Sequence, residues 1–229
     1  MNPLIQYQFY VDPDQLQQPS TAAIEYWVAQ NGVFVRGQRP ELEALLPVSR
    51  HENPVRGLGV LQPFVALTQL NSVWLDLVSG IAKAELPNEV LFHWTQTPEG
   101  DWELTIPDQT QSQFHCQPVE VGYDSSAHRA VLEIHSHGRS PAYFSQLDDD
   151  DENNGFRIYG VLGRLHQAQP ELLLRVGLFG HFWMIPASAV FDSFESGDTL
   201  LDVAHPKLPY YSAQEPDHAD DTSQLTPQL

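Results

Sequence analysis

The chain has 229 residues, 41% of them hydrophobic and 18% charged, which is enough apolar material for one large domain or one domain plus an elaboration and too much for a disordered chain. Eleven Lys and Arg face 30 Asp and Glu, a net charge of −19 with His neutral, which repels nucleic-acid phosphates and anionic lipid and favours a basic partner. The single cysteine, Cys116, excludes an intrachain disulfide and a Cys-rich zinc site.

Met1–Tyr7 lacks a basic region followed by an apolar one, and no later stretch approaches the roughly 20 apolar residues of a membrane span. A cytoplasmic protein is expected. Residues 1–60 contain strand-like runs at Tyr7–Val11 and Val33–Val35, with turn signals at Asp12-Pro13-Asp14 and Asn31-Gly32. Glu25–Ala29 and Val33–Arg36 flank Asn31-Gly32 as a β-hairpin would. Arg39–Leu46, with Pro40 in its first turn, predicts a short helix. Together these make a small β-rich N-terminal elaboration.

Residues 64–84 carry apolar side chains at three- and four-residue spacing (Phe64, Leu67, Leu70, Val73, Trp74, Leu77, Val78, Ile81), which predicts a helix stopped by Pro87. Glu89–Trp94 and Trp102–Ile106 read as strands separated by a turn at Thr97–Asp101. Val131–His135 reads as an interior strand, followed by Phe156–Leu165, Leu172–Gly177 and Phe182–Ile185. From 212 on, acidic residues among Ser, Thr, Gln and Pro predict a disordered tail, 212–229. The element order gives an α+β fold or α/β/α sandwich, a mixed β-sheet flanked by helices over 61–211.

The chemistry concentrates at Glu133-Ile134-His135-Ser136-His137-Gly138 and continues to Ser145-Gln146-Leu147-Asp148. Side chains on a strand alternate, so His135 and His137 project to one side. Two imidazoles joined by a carboxylate from the next element supply three N/O ligands, and zinc takes such a set with its fourth position left to water. The other histidines, His93 among them, read as ordinary polar residues. Cys116 beside His115 is a poor thiol nucleophile pair, because neighbours on a strand face opposite ways.

His135-Ser136-His137, seven residues, Ser145, two residues and Asp148 match the signature His-Ser/Thr-His-x7-Ser-x2-Asp at every fixed position. On these residues the chain resembles the JAMM/MPN+ (JAB) zinc metallopeptidase family, in its bacterial JAB form, over about 64–190. Asn31–Arg36 and Arg56-Gly57-Leu58 are similar to the PRTRC-system protein A type. The resemblance implies a JAB/MPN-like, cytidine-deaminase-like core and a Zn²⁺ ion held by His135, His137 and Asp148. It implies that Glu89, following the first long helix, is the general base, and that the Ser145 hydroxyl donates to the oxyanion. It implies a peptide or ubiquitin-like protein substrate, cleaved at an amide bond.

Several alternatives stand beside this. Asp149 can replace Asp148 by a one-residue slip, and Glu85 lies near Glu89. The acids after Asp148 form either a solvated loop or a surface for a basic substrate tail. The whole chain can also be an MPN-fold scaffold or binding module without catalysis. A deaminase reading wants a Pro-Cys-x-x-Cys pair, which a chain with one cysteine does not supply.

Overall fold

The structure, a computed structural model, describes residues 4–194 and 200–203. The tail predicted over 212–229 lies outside them. The first five strands, β1 (Ile5–Phe9), β2 (Ile24–Val28), β3 (Gly32–Arg39), β4 (Leu42–Arg50) and β5 (Phe64–Ala66), form one sheet in chain order. β1 runs parallel to β2, and the other neighbours are antiparallel. The hairpin expected at Asn31-Gly32 is present, closed by Ala29 N–H donating to the Gly32 carbonyl at 2.8 Å.

Both faces of this sheet are covered. Trp27, Phe34 and Leu45 join Tyr10, Ala29 and Leu61 in a small core of their own. Val35, Leu42, Ala44 and Leu46 look the other way, into the main core. Arg36, 2% exposed, crosses the first of these faces. It pairs with Glu25 (3.3 Å) and Glu43 (2.6 Å) and donates to the carbonyls of Leu16 and Gln18, tying the 3₁₀ turn Pro13–Gln17 to the sheet. In that turn the Gln15 amide accepts from Val11 and Asp12 N–H and donates to the Phe9 carbonyl, at the open edge of β1.

Two expected helices are corrected here. Arg39–Leu46 is not helical: Pro40 and Glu41 form a two-residue turn between β3 and β4. Leu42, Ala44 and Leu46 are buried on one face and Leu45 on the other, so Ala44-Leu45-Leu46 is an unbroken apolar run, a pattern a buried strand shares with a helix. The helix expected over 64–84 begins at Val73, because Phe64–Ala66 pair with the free edge of β4. Leu70–Asn71, β6, pair with Phe191–Asp192.

The remaining elements are α1 (Val73–Ala84), β7 (Leu91–Gln96), β8 (Trp102–Thr105), β9 (Gln109–Ser112), β10 (His115–Pro118), α2 (Ser126–Arg129), β11 (Leu132–Ser136), α3 (Gln146–Asp151), β12 (Phe156–Gly163), β13 (Glu171–Leu178), β14 (His181–Ile185), β15 (Phe191–Asp192) and β16 (Leu201–Asp202). The main sheet is mixed, in the order β14-β13-β12-β11-β7-β8, with β16 beside β13. Its one parallel pair on that path, β11–β12, is bridged by a crossover that contains α3. The α+β organisation expected from the sequence is present.

α1 buries Leu75, Val78 and Ala82 against Phe92 and Trp94 of β7 and Leu132 and Ile134 of β11, all on one face of the main sheet. Asp76 in its first turn and Lys83 in its last suit the helix dipole. The opposite face is polar. It carries His93, Glu133, His135, Arg157 and Tyr159, and it borders the cleft walled by β10 and α3. No helix of the described residues is long and apolar enough to cross a membrane.

Gly163, the last residue of β12, lets the chain at Pro141-Ala142 cross directly over it, and a Cβ there would run into the Ala142 N and Pro141 C atoms. Backbone cannot swing aside as a side chain does, so Gly163→Ala should cost about 1–3 kcal/mol. Gly80, in α1 with open space around its Cα, is the opposite case, and Gly80→Ala should stabilise by about 0.4–1 kcal/mol. Urea unfolding of the two variants measures both, and a Gly163→Ala protein as stable as Gly80→Ala contradicts the close approach.

Candidate metal centre

Strand register assembles the site. β7 runs antiparallel to β11 with Glu133 opposite His93 and His135 opposite Leu91, so continuing the pairing sets Glu89 against His137. Beyond the ladder, Ser136 N–H donates to the Val90 carbonyl and Val90 N–H donates to the Ser136 hydroxyl, each at 3.0 Å. Glu89 itself is held at its backbone: its N–H donates to the Ser112 carbonyl (2.8 Å) and its carbonyl accepts from the Gln111 amide (2.9 Å), both on β9. A residue 46 positions before His135 (135 − 89) thereby reaches the same end of the sheet.

His135 Nε2 and His137 Nε2 lie 3.0 Å apart. Asp148 Oδ1 is 3.3 Å from the first, and Oδ2 is 3.9 Å from the second. Zinc at about 2.0–2.1 Å from each ligand gives tetrahedral ligand–ligand edges of about 3.3 Å, so these three spacings fit one ion between them. Burial lowers the pKa of His135 in spite of the nearby Asp148 and Glu133 carboxylates. Burial, with the adjacent His135, also lowers His137. Both rings are therefore neutral at pH 7, with lone pairs to give. The Nδ1 of His137 is buried without a hydrogen-bond partner among the described residues, while a backbone group of Pro141 near the ring opposes part of the lowering. The donor set fits a metal ion. Tyr143 packs edge-on over His137, with ring centroids 4.7 Å apart.

Asp148 comes from α3, whose N-cap is Ser145. The Ser145 hydroxyl accepts from Asp148 N–H (3.2 Å), and the Asp148 carboxylate accepts from Ser145 N–H (2.6 Å), a reciprocal capping box. Ser145 thus orients the Asp148 carboxylate while keeping its own O–H for the cleft it lines. The next acid, Asp149, binds Arg175 on β13 (2.6 Å), and Glu152, buried, binds the same guanidinium (2.6 Å). This corrects the expectation of a solvated acidic loop. Asp150 and Asp151 are exposed, but Asp149 and Glu152 are internal ion-pair partners. The carboxylate beside the two imidazoles is that of Asp148, while that of Asp149 is taken up by Arg175.

The three groups open onto a cleft of about 560 Å³. Glu89 lines it, 6% exposed, and burial, aided by the Asp148 charge, raises its carboxyl to about 7. Glu85 is exposed at the C-terminus of α1 and does not line the cleft. His115 and Cys116 both sit on the cleft wall, but burial, with the carboxylates of Glu89, Glu133 and Asp148, pushes the Cys116 thiol up, away from thiolate. The floor is a polar row. Glu133 accepts from Arg157 (2.9 Å) and lies 3.4 Å from His93 Nε2, whose Nδ1 meets the Ser126 hydroxyl at 2.9 Å. Burial pushes Glu133 up, but the neighbouring His93 ring and Arg157 outweigh it and leave it below the usual carboxylate range.

Arg175, the Glu133–Arg157 pair and Tyr143 are neighbours of the three-residue cluster that sequence reasoning missed. A signal existed for two of them: Arg175 and Glu133 are lone charges inside apolar strand runs, Leu172–Val176 and Val131–Ile134. Nothing in the sequence marks Tyr143.

The chain matches no protein-family model and no curated protein. Among solved structures it is similar to the solution structure of protein DSY2949 from Desulfitobacterium hafniense, at 11% identity and a TM-score of 0.40, over 63% of this chain and 98% of that one.

Glu89 makes a pH prediction in the metal-free protein. Its folded pKa, about 7, lies above the ordinary 4.5, so its proton favours the fold, and that contribution is lost as pH rises from 4.5 through 7. Glu89→Gln removes the titration. The variant should match wild type below pH 4.5 and exceed it above 7, by up to about 3 kcal/mol from 1.36 kcal/mol per pKa unit. Urea midpoints of both metal-free proteins across this range measure the difference, and parallel curves count against a buried Glu89 carboxyl.

Proposed function

We propose that the protein is a zinc-dependent metallopeptidase of the JAMM type, built on a JAB/MPN-like core, that hydrolyses an amide bond at the end of a polypeptide. One observation carries this reading: His135, His137 and Asp148 converge to within 4.8 Å in a cleft that also holds a buried carboxyl, Glu89, with a raised pKa. Among the described residues these three N/O ligands have no fourth His, Cys, Asp or Glu ligand beside them, which suits a catalytic metal set rather than a structural one. Two imidazoles and one carboxylate also suit Fe²⁺ and other divalent ions, and zinc is preferred here because the buried Glu89 carboxyl beside the set is placed to serve a metal-bound water.

When bound, the ion lowers the pKa of a coordinated water towards about 7 and polarises the scissile carbonyl. The protein's own groups do the rest. Glu89, whose pKa is near neutrality, takes a proton from the attacking water and delivers it to the leaving amine as the carbon–nitrogen bond breaks. Ser145, fixed as the α3 cap, donates its O–H to the oxygen that gains charge. His135, His137 and Asp148 are the residues that would hold the ion.

The cleft's surroundings favour a polypeptide over a small polar metabolite. Phe114, Val121, Tyr143 and Leu147 line it and are exposed. An apolar rim around a polar centre suits an extended peptide end, such as the C-terminus of a ubiquitin-like protein. Asp151 lies on the same lining and is exposed, which suits a basic side chain near the scissile bond. The net charge of −19 points to a basic partner and away from nucleic acid and anionic membrane.

Purified protein should hold about one Zn²⁺ per chain, and His135→Ala/His137→Ala should lose it, since one remaining ligand binds poorly. Glu89→Gln should keep zinc and lose about 10²–10⁴-fold in the rate of cleaving a ubiquitin-like fusion. Zinc content unchanged in the double variant sinks the site. Zinc bound by a wild-type protein that cleaves none of the ubiquitin-like proteins of its own genome would favour the scaffold reading.

A further inference from the structure

We infer that Arg175 is the positioning residue that fixes the Asp148 carboxylate for metal binding, an inference that rests on the metal reading of His135, His137 and Asp148.

α3 has six residues, none of them buried, and Leu147 on it is 48% exposed. A helix so short has no stability of its own and no apolar face to seat it. The capping box between Ser145 and Asp148 fixes the carboxylate relative to α3, but both members belong to the same turn. It does not fix α3 relative to the sheet that carries His135 and His137. Arg175 does.

From β13 its guanidinium spans two carboxylates that bracket the helix end. Nη1 meets Asp149 Oδ1 at 2.6 Å, the residue after Asp148, and Nε donates to Glu152 Oε2 at 2.7 Å. Its planar group is sandwiched between aromatic rings, 3.8 Å from the Phe144 centroid and 4.0 Å from that of Phe182. Phe144 directly precedes Ser145, so the chain is gripped on both sides of the Ser145–Asp148 turn.

Arg175 is 4% exposed, and its register partners across the sheet are Tyr159 on β12 and, through it, Glu133 on β11. That is two strands, about 10 Å, to the side of the histidine strand. The Arg175 guanidinium is taken up by Asp149, Glu152 and the two rings, none of them a proposed ligand, so beyond a through-space charge effect on His135 it acts on the metal through α3. Lysine would not replace it, because an ammonium has neither the fork for two carboxylates nor the flat face for two rings.

The test measures metal affinity directly. Zn²⁺ is competed from the protein with a chromophoric chelator, and Co²⁺ absorption reads the coordination of the same site. The set is wild type, Arg175→Lys, Asp149→Asn, and Arg175→Met combined with Glu152→Gln so that no buried carboxylate is orphaned. The combined variant should bind Zn²⁺ about 10–100-fold more weakly, the range for residues that orient ligands. Its Co²⁺ bands should weaken as water replaces Asp148, Asp149→Asn should follow in smaller measure, and Arg175→Lys should restore little.

A folded combined variant with wild-type Zn²⁺ affinity and Co²⁺ spectrum overturns the inference, since a merely structural arginine would lower Tm alone. If the combined variant does not fold, Asp149→Asn decides, and wild-type affinity and spectrum there overturn it equally. Failure of the metal reading looks different: His135→Ala/His137→Ala would then bind Zn²⁺ no worse than wild type.

Discussion

The alternation of side chains along β11 is the constraint on which the rest of this fold turns. Leu132 and Ile134 point into the apolar core, while Glu133 and His135 point to the polar face, all within four residues. A strand that must satisfy two opposite environments has one acceptable register, because a slip of one residue would send charge into the core and leucine into the cleft. The same rule fixes β7, where Phe92 and Trp94 are core and His93 is not. Once these two strands are locked antiparallel, the position of Glu89 opposite His137 follows without further specification.

The polar face has its own requirement. Charge removed from water must be paired, and here pairing is done by few arginines at high coordination. Arg175 takes Asp149 and Glu152; Arg157 takes Glu133; Arg36, in the other sheet, takes Glu25 and Glu43. With 11 basic residues against 30 acidic, arginine is scarce, and three of them are committed to internal pairs. These pairs set three guanidinium groups against five carboxylates, so Arg36 and Arg175 are each shared and the rest of the acidity lies mostly at the surface. The same scarcity means that a buried carboxyl without such a partner, as at Glu89, stands out by its raised pKa.

How far the sequence was legible depended on the distance over which each feature is encoded. His135 and His137 are two positions apart on one strand, so their common side follows from strand geometry alone. Asp148 arrives through a single short crossover, within reach of motif spacing. The strands at 91–96, 102–105, 156–163 and 171–178 were visible as apolar runs between turn signals. The failures share one cause. At 42–50 and 64–66 the chain is buried on both sides or paired late in sequence, so its pattern carries no period of its own and tertiary pairing decides. Arg175 was hidden for a related reason: its meaning lies in acids 23 and 26 positions away.

The amide of Gln15 has a consequence for the molecule among other molecules. β1 is the outermost strand of its sheet, and it exposes Ile5, Tyr7 and Phe9. Such an apolar, unpaired border invites a foreign strand to add to it. Even-numbered residues of β1 bond towards β2, as Leu4 and Tyr10 do, so the outward groups are those of odd-numbered residues. Gln15 occupies two of them, the Phe9 carbonyl and the Val11 N–H, in the manner of a strand one residue long. Gln15 thereby closes the C-terminal end of the border, so among the described residues one side chain shortens the stretch of open backbone that an added strand would use.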